Sequence, residues 1–416
     1  MSTLEGKSIS RRGETTRLIL LHLIEAMMSI AGNLLGIGIF FFMTDQFHWT
    51  LRQNFELSTC MGAIYVCGAL AAHPISQRMG RRLPLTIAYL MIAAPALAAI
   101  FFTTPAVVVC ANLVYNFFSA VSWPIIESLI SSGTRDSHVL SRRLAVYNIV
   151  WAGVGFGVLA GVGTIIEHVP RGLFVISVAA CAISIVIVLL GKIEPAKAIV
   201  QPLHSGPAAP PEPMLQRQRT VALWLSRICV PAMYILVNAL AAMLPSLAVI
   251  KHLRPAMQTL LSSVWFLMRW IMFMVLGVTT FWHTRPRLLL AAAMLLLISF
   301  IIVTIRPSEI FPVGESESFD LLIMIVGQVG CGIAMGLIYM ASLYFGMVLS
   351  DGSTEEGGYH EALIGVGTTL GPAAGLLSQY LWPGDQHAAV ISVGSLIGLS
   401  ILLASAASLR FSRRRS

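Results

Sequence analysis

The stretch PAKAIVQPLHSGPAAPPEP, Pro195 to Pro213, contains six prolines and divides a chain whose flanks read as long apolar runs. So proline-rich a segment, poor in large apolar side chains, neither spans a bilayer nor builds a core; its composition favours an extended tether. Six apolar runs precede it, near 18–43, 55–76, 84–104, 106–132, 144–166 and 172–191. Six follow, near 221–248, 257–281, 288–305, 319–349, 361–382 and 388–409. A helix rises 1.5 Å per residue, so about 20 residues cross about 30 Å of hydrocarbon, and most of these runs are long enough. The reading is an all-α polytopic membrane protein with twelve transmembrane helices in two pseudo-symmetric six-helix bundles. Residues 1–192 form the first bundle, 193–219 a cytoplasmic Pro-rich linker, and 220–416 the second bundle.

Composition supports a lipid environment. Of 416 residues, 56% are hydrophobic and 11% are charged, roughly half the charge content usual in soluble domains. Lys7, Arg11, Arg12 and Arg17, Arg78, Arg81 and Arg82, Arg135, Arg142 and Arg143, Arg285 and Arg287, and the tail Arg410, Arg413, Arg414 and Arg415 fall on one side of the predicted bilayer, with the linker cations. Arg52, Arg171, Lys251, Arg254 and Arg306 fall on the other. The positive-inside rule then orients both termini to the cytoplasm, and an inner, plasma-membrane location is expected. The net charge of +8 suits anionic lipid headgroups, so membrane lipids are expected partners and nucleic acid is not. The first apolar run already has spanning length, so insertion is expected to be signalled by that span itself.

Chemistry of other classes is not encoded in local motifs. All six cysteines lie inside predicted spans with no CxxC spacing, and no HExxH, Walker loop or GxSxG element occurs. No enzyme activity, metal or cofactor is expected.

An internal repeat links the halves. Gly153, Gly157 and Gly161 form a four-residue ladder in span five, and Gly367, Gly371 and Gly375 form the same ladder in span eleven. Glycines four apart share a helix face and allow a neighbouring backbone to approach, so both ladders are predicted packing faces. After span two, Arg78-Met79-Gly80-Arg81-Arg82 resembles the second half of the signature loop of the major facilitator superfamily, approximately Gly-x3-Asp-Arg-x-Gly-Arg-Arg/Lys. Here His73 stands at the glycine and Gln77 at the aspartate. His283 to Arg287 is a trace of the same motif in the second half, and Gly371-Pro372 resembles a step that the family's antiporters carry in span five. The resemblance implies two parallel six-helix repeats with substrate bound between them. It also implies a cytoplasmic gate loop of Gln77, Arg78, Gly80, Arg81 and Arg82, altered where the aspartate is missing.

Polar groups inside the spans mark the candidate site. Each ionised side chain at mid-bilayer costs about 2.5–3.5 kcal/mol on insertion scales and needs a partner or a wet cavity. Glu25, Ser29, Asn33 and Gly36 share a face of span one, and Asn112, Asn116, Ser119, Trp123 and Glu127 form a stripe along span four. The second half offers Arg227 and Asn238 in span seven, Arg269 in span eight, and Gln328 and Tyr339 in span ten. Acidic groups in one half facing basic groups in the other favour an anionic or zwitterionic small organic solute. Glu25 or Glu127 is the expected proton site, while Arg135 or Arg143 for Glu127, and His22 or Arg17 for Glu25, are the alternative static partners. His360 and Glu361 are read as a peripheral pair at the mouth of span eleven. The functional expectation is a monomeric secondary active transporter working by alternating access, coupled to protons. A transporter-like membrane scaffold or sensor is the alternative.

Overall fold

A computed structural model describes residues 2–132, 137–194, 213–306, 308, 317–350 and 353–413. The first half contains α1 (Ser2–Leu35), α2 (Gly38–Phe47), α3 (Leu51–Met79), α4 (Arg82–Phe101), α5 (Pro105–Ser131), α6 (Ser137–His168) and α7 (Gly172–Leu190). The second contains α8 (Pro213–Met243), a 3-10 turn (Leu244–Ser246), α9 (Pro255–Ser262), α10 (Val264–Val278), α11 (Arg287–Thr304), α12 (Glu317–Leu349), α13 (Thr354–Leu381) and α14 (Gln386–Arg413). Of the predicted tether, 195–212 lies outside the described residues, as does Arg135. Helix α8 begins at Pro213, ahead of the expected start at 221.

Eleven helical segments among the described residues are long and apolar enough to cross a membrane. The other predicted span is α13, a 28-residue helix whose glycines, threonines and glutamates lower its apolar content. It packs between α3 and α8, so protein rather than lipid covers its polar face. Two spans are discontinuous. The first breaks at Gly36–Ile37 between α1 and α2, and the eighth breaks at Ser263 between α9 and α10.

The sequence marks where helices start and how their ends are satisfied. Thr50 accepts from the Gln53 N–H while the Gln53 side chain accepts from the Thr50 N–H, a reciprocal cap at the start of α3. Thr104 caps α5 with Pro105 at its first position, and Ser353 caps α13. At the other end of α5, arginines meet carbonyls that no further helical turn can satisfy. Arg17 donates to Leu129 O at 2.8 Å, and Arg143 donates to Ser132 O at 2.7 Å and Ile130 O at 3.3 Å.

The two halves meet along two seams, α3 against α13 and α6 against α9 and α10. At the start of α3, the Arg52 guanidinium lies 4.1 Å from the Tyr380 ring centroid, and Asn54 Nδ2 reaches Ala242 O at 3.4 Å. The glycine ladders behave differently along these seams. A Cβ on Gly367 or Gly371 would collide with the α8 backbone at Pro231 O and Ile235 O, and one on Gly375 would lie 2.5 Å from the Phe55 ring. In α6 only Gly153 of the predicted ladder is closely covered, by Trp270 at 2.8 Å; Gly157 and Gly161 have nothing within 4 Å. The expectation for those two glycines is therefore corrected. The close approaches in α6 are at Gly155, against Phe266, and at Gly163, against the Pro255 backbone, on a different face of the helix.

Candidate functional site

A cavity of about 190 Å³ lies between the halves. From the first half it is lined by Ser29, Asn33 and Gly36 on the broken first span and by Asn116 and Trp123 on α5. On α1, one turn before the break, Gly32 leaves room for the Tyr115 hydroxyl, which a Cβ there would meet at 2.5 Å. From the second half come Tyr234 and Asn238 on α8, Arg269 on α10, Tyr339 on α12, and Glu361 and Thr368 on α13.

Several predicted residues meet in this space. Asn33 Nδ2 donates to Ser29 O at 2.8 Å, Asn116 Nδ2 to Asn112 O at 2.8 Å, and Asn238 Nδ2 to Thr368 Oγ1 at 3.0 Å. These bonds leave amide carbonyl oxygens as acceptors at the cavity wall. Arg269 is only 2% exposed. Its guanidinium carbon lies 4.3 Å from the ring centroids of both Trp151 and Phe266, and 5.2 Å from that of Trp265. No described residue accepts a hydrogen bond from it, and its buried Nε is without a partner.

Others lie elsewhere. Asn112 donates to Leu35 O at the break of the first span and does not line the cavity. Gln328 donates to Leu261 O at 3.0 Å and ties α12 to α9. Arg227 forms an ion pair with Glu356 at 2.6 Å, away from the cavity, so the expected opposition of Arg227 to the acidic half is corrected. Glu25 bonds His22 at 2.8 Å and sits behind the lining. Neither Arg17 nor Arg143 neutralises the predicted acidic sites, because both pair with Glu14, at 2.6 Å and 3.0 Å.

The most consequential difference concerns Glu127. It is fully buried, accepts from the Tyr147 hydroxyl at 3.3 Å, and meets His360 and Glu361, with one ligand-type atom of each within 4.8 Å of the others. His360 and Glu361 are 4% and 2% exposed, so the expectation of a peripheral pair is corrected. Tyr65 on α3 donates to Glu361 Oε2, and the Ser342 hydroxyl lies 3.0 Å from His360 Nδ1. The sequence placed His360 and Glu361 at a helix start. What it concealed is that α13 begins at Thr354, which carries both residues more than a turn inside the helix.

The signature-like loop acts within the first half. Gly80 has φ 72°, a conformation that favours glycine, and it turns the chain from α3 into α4. Arg81 Nη2 approaches Ser128 Oγ at 3.4 Å near the end of α5, and Arg82 donates to Gly191 O at 2.6 Å at the end of α7. Lost hydration holds the half-buried Arg81 guanidinium below its ordinary value, with Glu194 acting in the opposite direction. Gln77 pairs with His73 at 2.9 Å, and Arg78 remains exposed.

A family profile described as Major Facilitator Superfamily matches residues 21–376. The chain belongs to this superfamily of membrane transport proteins. It is an integral membrane protein, its fold comprises two six-helix halves, and its class is that of transporters of small solutes rather than enzymes. Among curated proteins, no sequence matches the chain.

Proposed function

We propose that this protein is a proton-coupled secondary transporter of a small anionic or zwitterionic organic solute, working as a monomer by alternating access. The supporting observation is the pairing of two sites. One is Arg269, a buried cation at the cavity wall without a protein counterion among the described residues. The other is the Glu127–Glu361 contact, which joins α5 of one half to α13 of the other. An unpaired buried guanidinium is costly, and a ligand carboxylate offers it two parallel N–H···O bonds. Two carboxyl groups at close range are held together by one shared proton and driven apart when both are ionised. Loading and losing that proton would favour closure and opening of this seam, while Tyr65, Tyr147 and His360 hold the pair in register. In this scheme Glu127 is the coupling group, with Glu361 as its partner, and Glu25 with His22 is structural. We further assign residues 193–219 as a cytoplasmic tether between bundles 1–192 and 220–416, with both termini cytoplasmic in a plasma (inner) membrane. Gln77, Arg78, Gly80, Arg81 and Arg82 are proposed as a gate loop acting through the ends of α5 and α7.

The test is transport by the full-length protein in proteoliposomes under an imposed pH gradient, screening organic acids, amino acids, sugars and organic cations. Glu127→Gln and Glu361→Gln are expected to abolish uphill accumulation while leaving downhill exchange of the same solute. Undiminished accumulation by either variant rules out the carboxyl pair as the coupling site, and absence of flux with every class would indicate a scaffold or sensor.

A further inference from the structure

The proposed transport reading leaves the solute's chemistry open, and the following inference rests on it by naming that chemistry for the same cavity. Three features of the wall bear on it. The first is charge: Arg269 is the cation of the described lining and Glu361 its carboxylate, so one anionic group on a ligand finds a partner and a second would meet repulsion from Glu361 when that group is ionised. The second is the way the cation is held. Rings of Trp151 and Phe266 lie 4.3 Å from the guanidinium carbon, so aromatic rings rather than carboxylates surround the cation, and its N–H groups have no acceptor among the described residues. A guanidinium edge matches a carboxylate in a bidentate geometry that a lone hydroxyl cannot reproduce.

The third feature is the shape and surface of the remaining space. At about 190 Å³ the space lies below the ~300–1,000 Å³ common for pockets of drug-sized ligands, which suits a small solute rather than a sugar chain or a polycyclic drug. Tyr147, Trp123 and Tyr339 continue the aromatic wall beyond Arg269, and Trp151 contacts the Tyr339 and Phe273 rings edge-on at centroid distances of 5.3 and 5.9 Å. Such walls favour a second π-system over an aliphatic body of equal size, because offset and edge contacts add to area burial. Asn33 and Asn116 supply neutral hydrogen-bonding groups that accommodate a ring hydroxyl. We propose that the central cavity selects a monocyclic aromatic monocarboxylate, with the carboxylate on the Arg269 edge and the ring against the Trp151–Tyr339 wall.

Binding to the purified full-length protein tests this independently of transport. Benzoate and 4-hydroxybenzoate are expected to raise the unfolding temperature and to bind at least about tenfold more tightly than cyclohexanecarboxylate, which keeps charge and size but lacks the π-face, or benzyl alcohol, which keeps the ring but lacks the charge; tenfold corresponds to about 1.4 kcal/mol. Arg269→Lys, retaining the charge but not the fork, is expected to weaken benzoate at least about tenfold, and Trp151→Leu to erase the preference over cyclohexanecarboxylate. The wild-type ligand series carries the test should a variant fail to fold. Equal affinity for benzoate and cyclohexanecarboxylate overturns the proposal, as does unchanged benzoate binding by Arg269→Gln or tighter binding of phenylalanine than of benzoate. Benzoate binding without flux in proteoliposomes would support this site while removing the transport reading. Flux of a sugar or an organic cation without benzoate binding would remove this inference and leave transport standing.

Discussion

Helices α6 and α13 carry the same glycine ladder at corresponding places in the two halves, yet they use it differently. In α13 the backbone of α8 lies directly over Gly367 and Gly371, and the Phe55 ring of the other half covers Gly375. In α6 the space over Gly157 and Gly161 is open, and the tight contacts have moved to Gly155 and Gly163. Shared sequence pattern therefore records a duplicated frame, while the rotation of each helix decides which face is used. The helices also differ in cargo. Helix α13 brings a buried carboxyl, Glu361, and an imidazole, His360, to the seam, whereas the α6 seam is closed by aromatic contacts such as Trp270 over Gly153.

Substitutions at the two ladders should expose this contrast. The largest effect is expected for Gly371→Ala, because its neighbour is backbone at Ile235 and cannot rotate away; a loss of about 1–3 kcal/mol or more is the range for overpacking. It would be read as a lower unfolding temperature and poor recovery of folded protein in detergent. Gly163→Ala should come next, since Pro255 also presents backbone, although the short α9 can shift more readily than α8. If Gly163→Ala proves harmless while Gly371→Ala is severe, the α6 seam is the softer of the two.

Smaller effects separate the charged contacts. Arg227→Ala removes a largely buried ion pair with Glu356, and a cost of about 1 kcal/mol is expected, at the top of the range for solvent-exposed pairs. Solute affinity should stay unchanged, in contrast to Arg269 variants; a comparable loss of binding from both would place Arg227 in the recognition path. The smallest effects belong to Gly157→Ala and Gly161→Ala, where open space and improved helix propensity predict neutral behaviour or a gain of about 0.5–1 kcal/mol. A stable Gly157→Ala protein with lost transport would sharpen the comparison, since it would mean that the open ladder is packed in another stage of the cycle.

Much of the site was legible as helical faces. The spacing of Ser29, Asn33 and Gly36, and of Asn116 and Trp123, predicted surfaces that do line the cavity. The stripes nevertheless run past the cavity, leaving Glu25 and Asn112 in contacts behind the wall and Glu127 beyond the other end of the α5 stripe. Residue type alone could not separate Arg269 from Arg227, because what distinguishes them is nonlocal: Glu356 of a distant helix reaches Arg227, while Trp151 of another helix packs on the buried Arg269. Tyr65 gave no periodic signal, and it matters through its bond to Glu361 across the α3–α13 seam.

The sequence by itself determined the membrane-spanning architecture, the two-half plan and the faces that carry polar groups. It could do so because lipid demands long apolar helices with internally satisfied backbones, a requirement written locally in length and periodicity. Tertiary structure decided that Glu127 meets Glu361 and His360, that Arg227 is neutralised by Glu356, and that Arg269 remains without a protein counterion among the described residues. Those outcomes depend on how helices from two halves rotate and cross, a few ångströms of nonlocal geometry that no single span encodes.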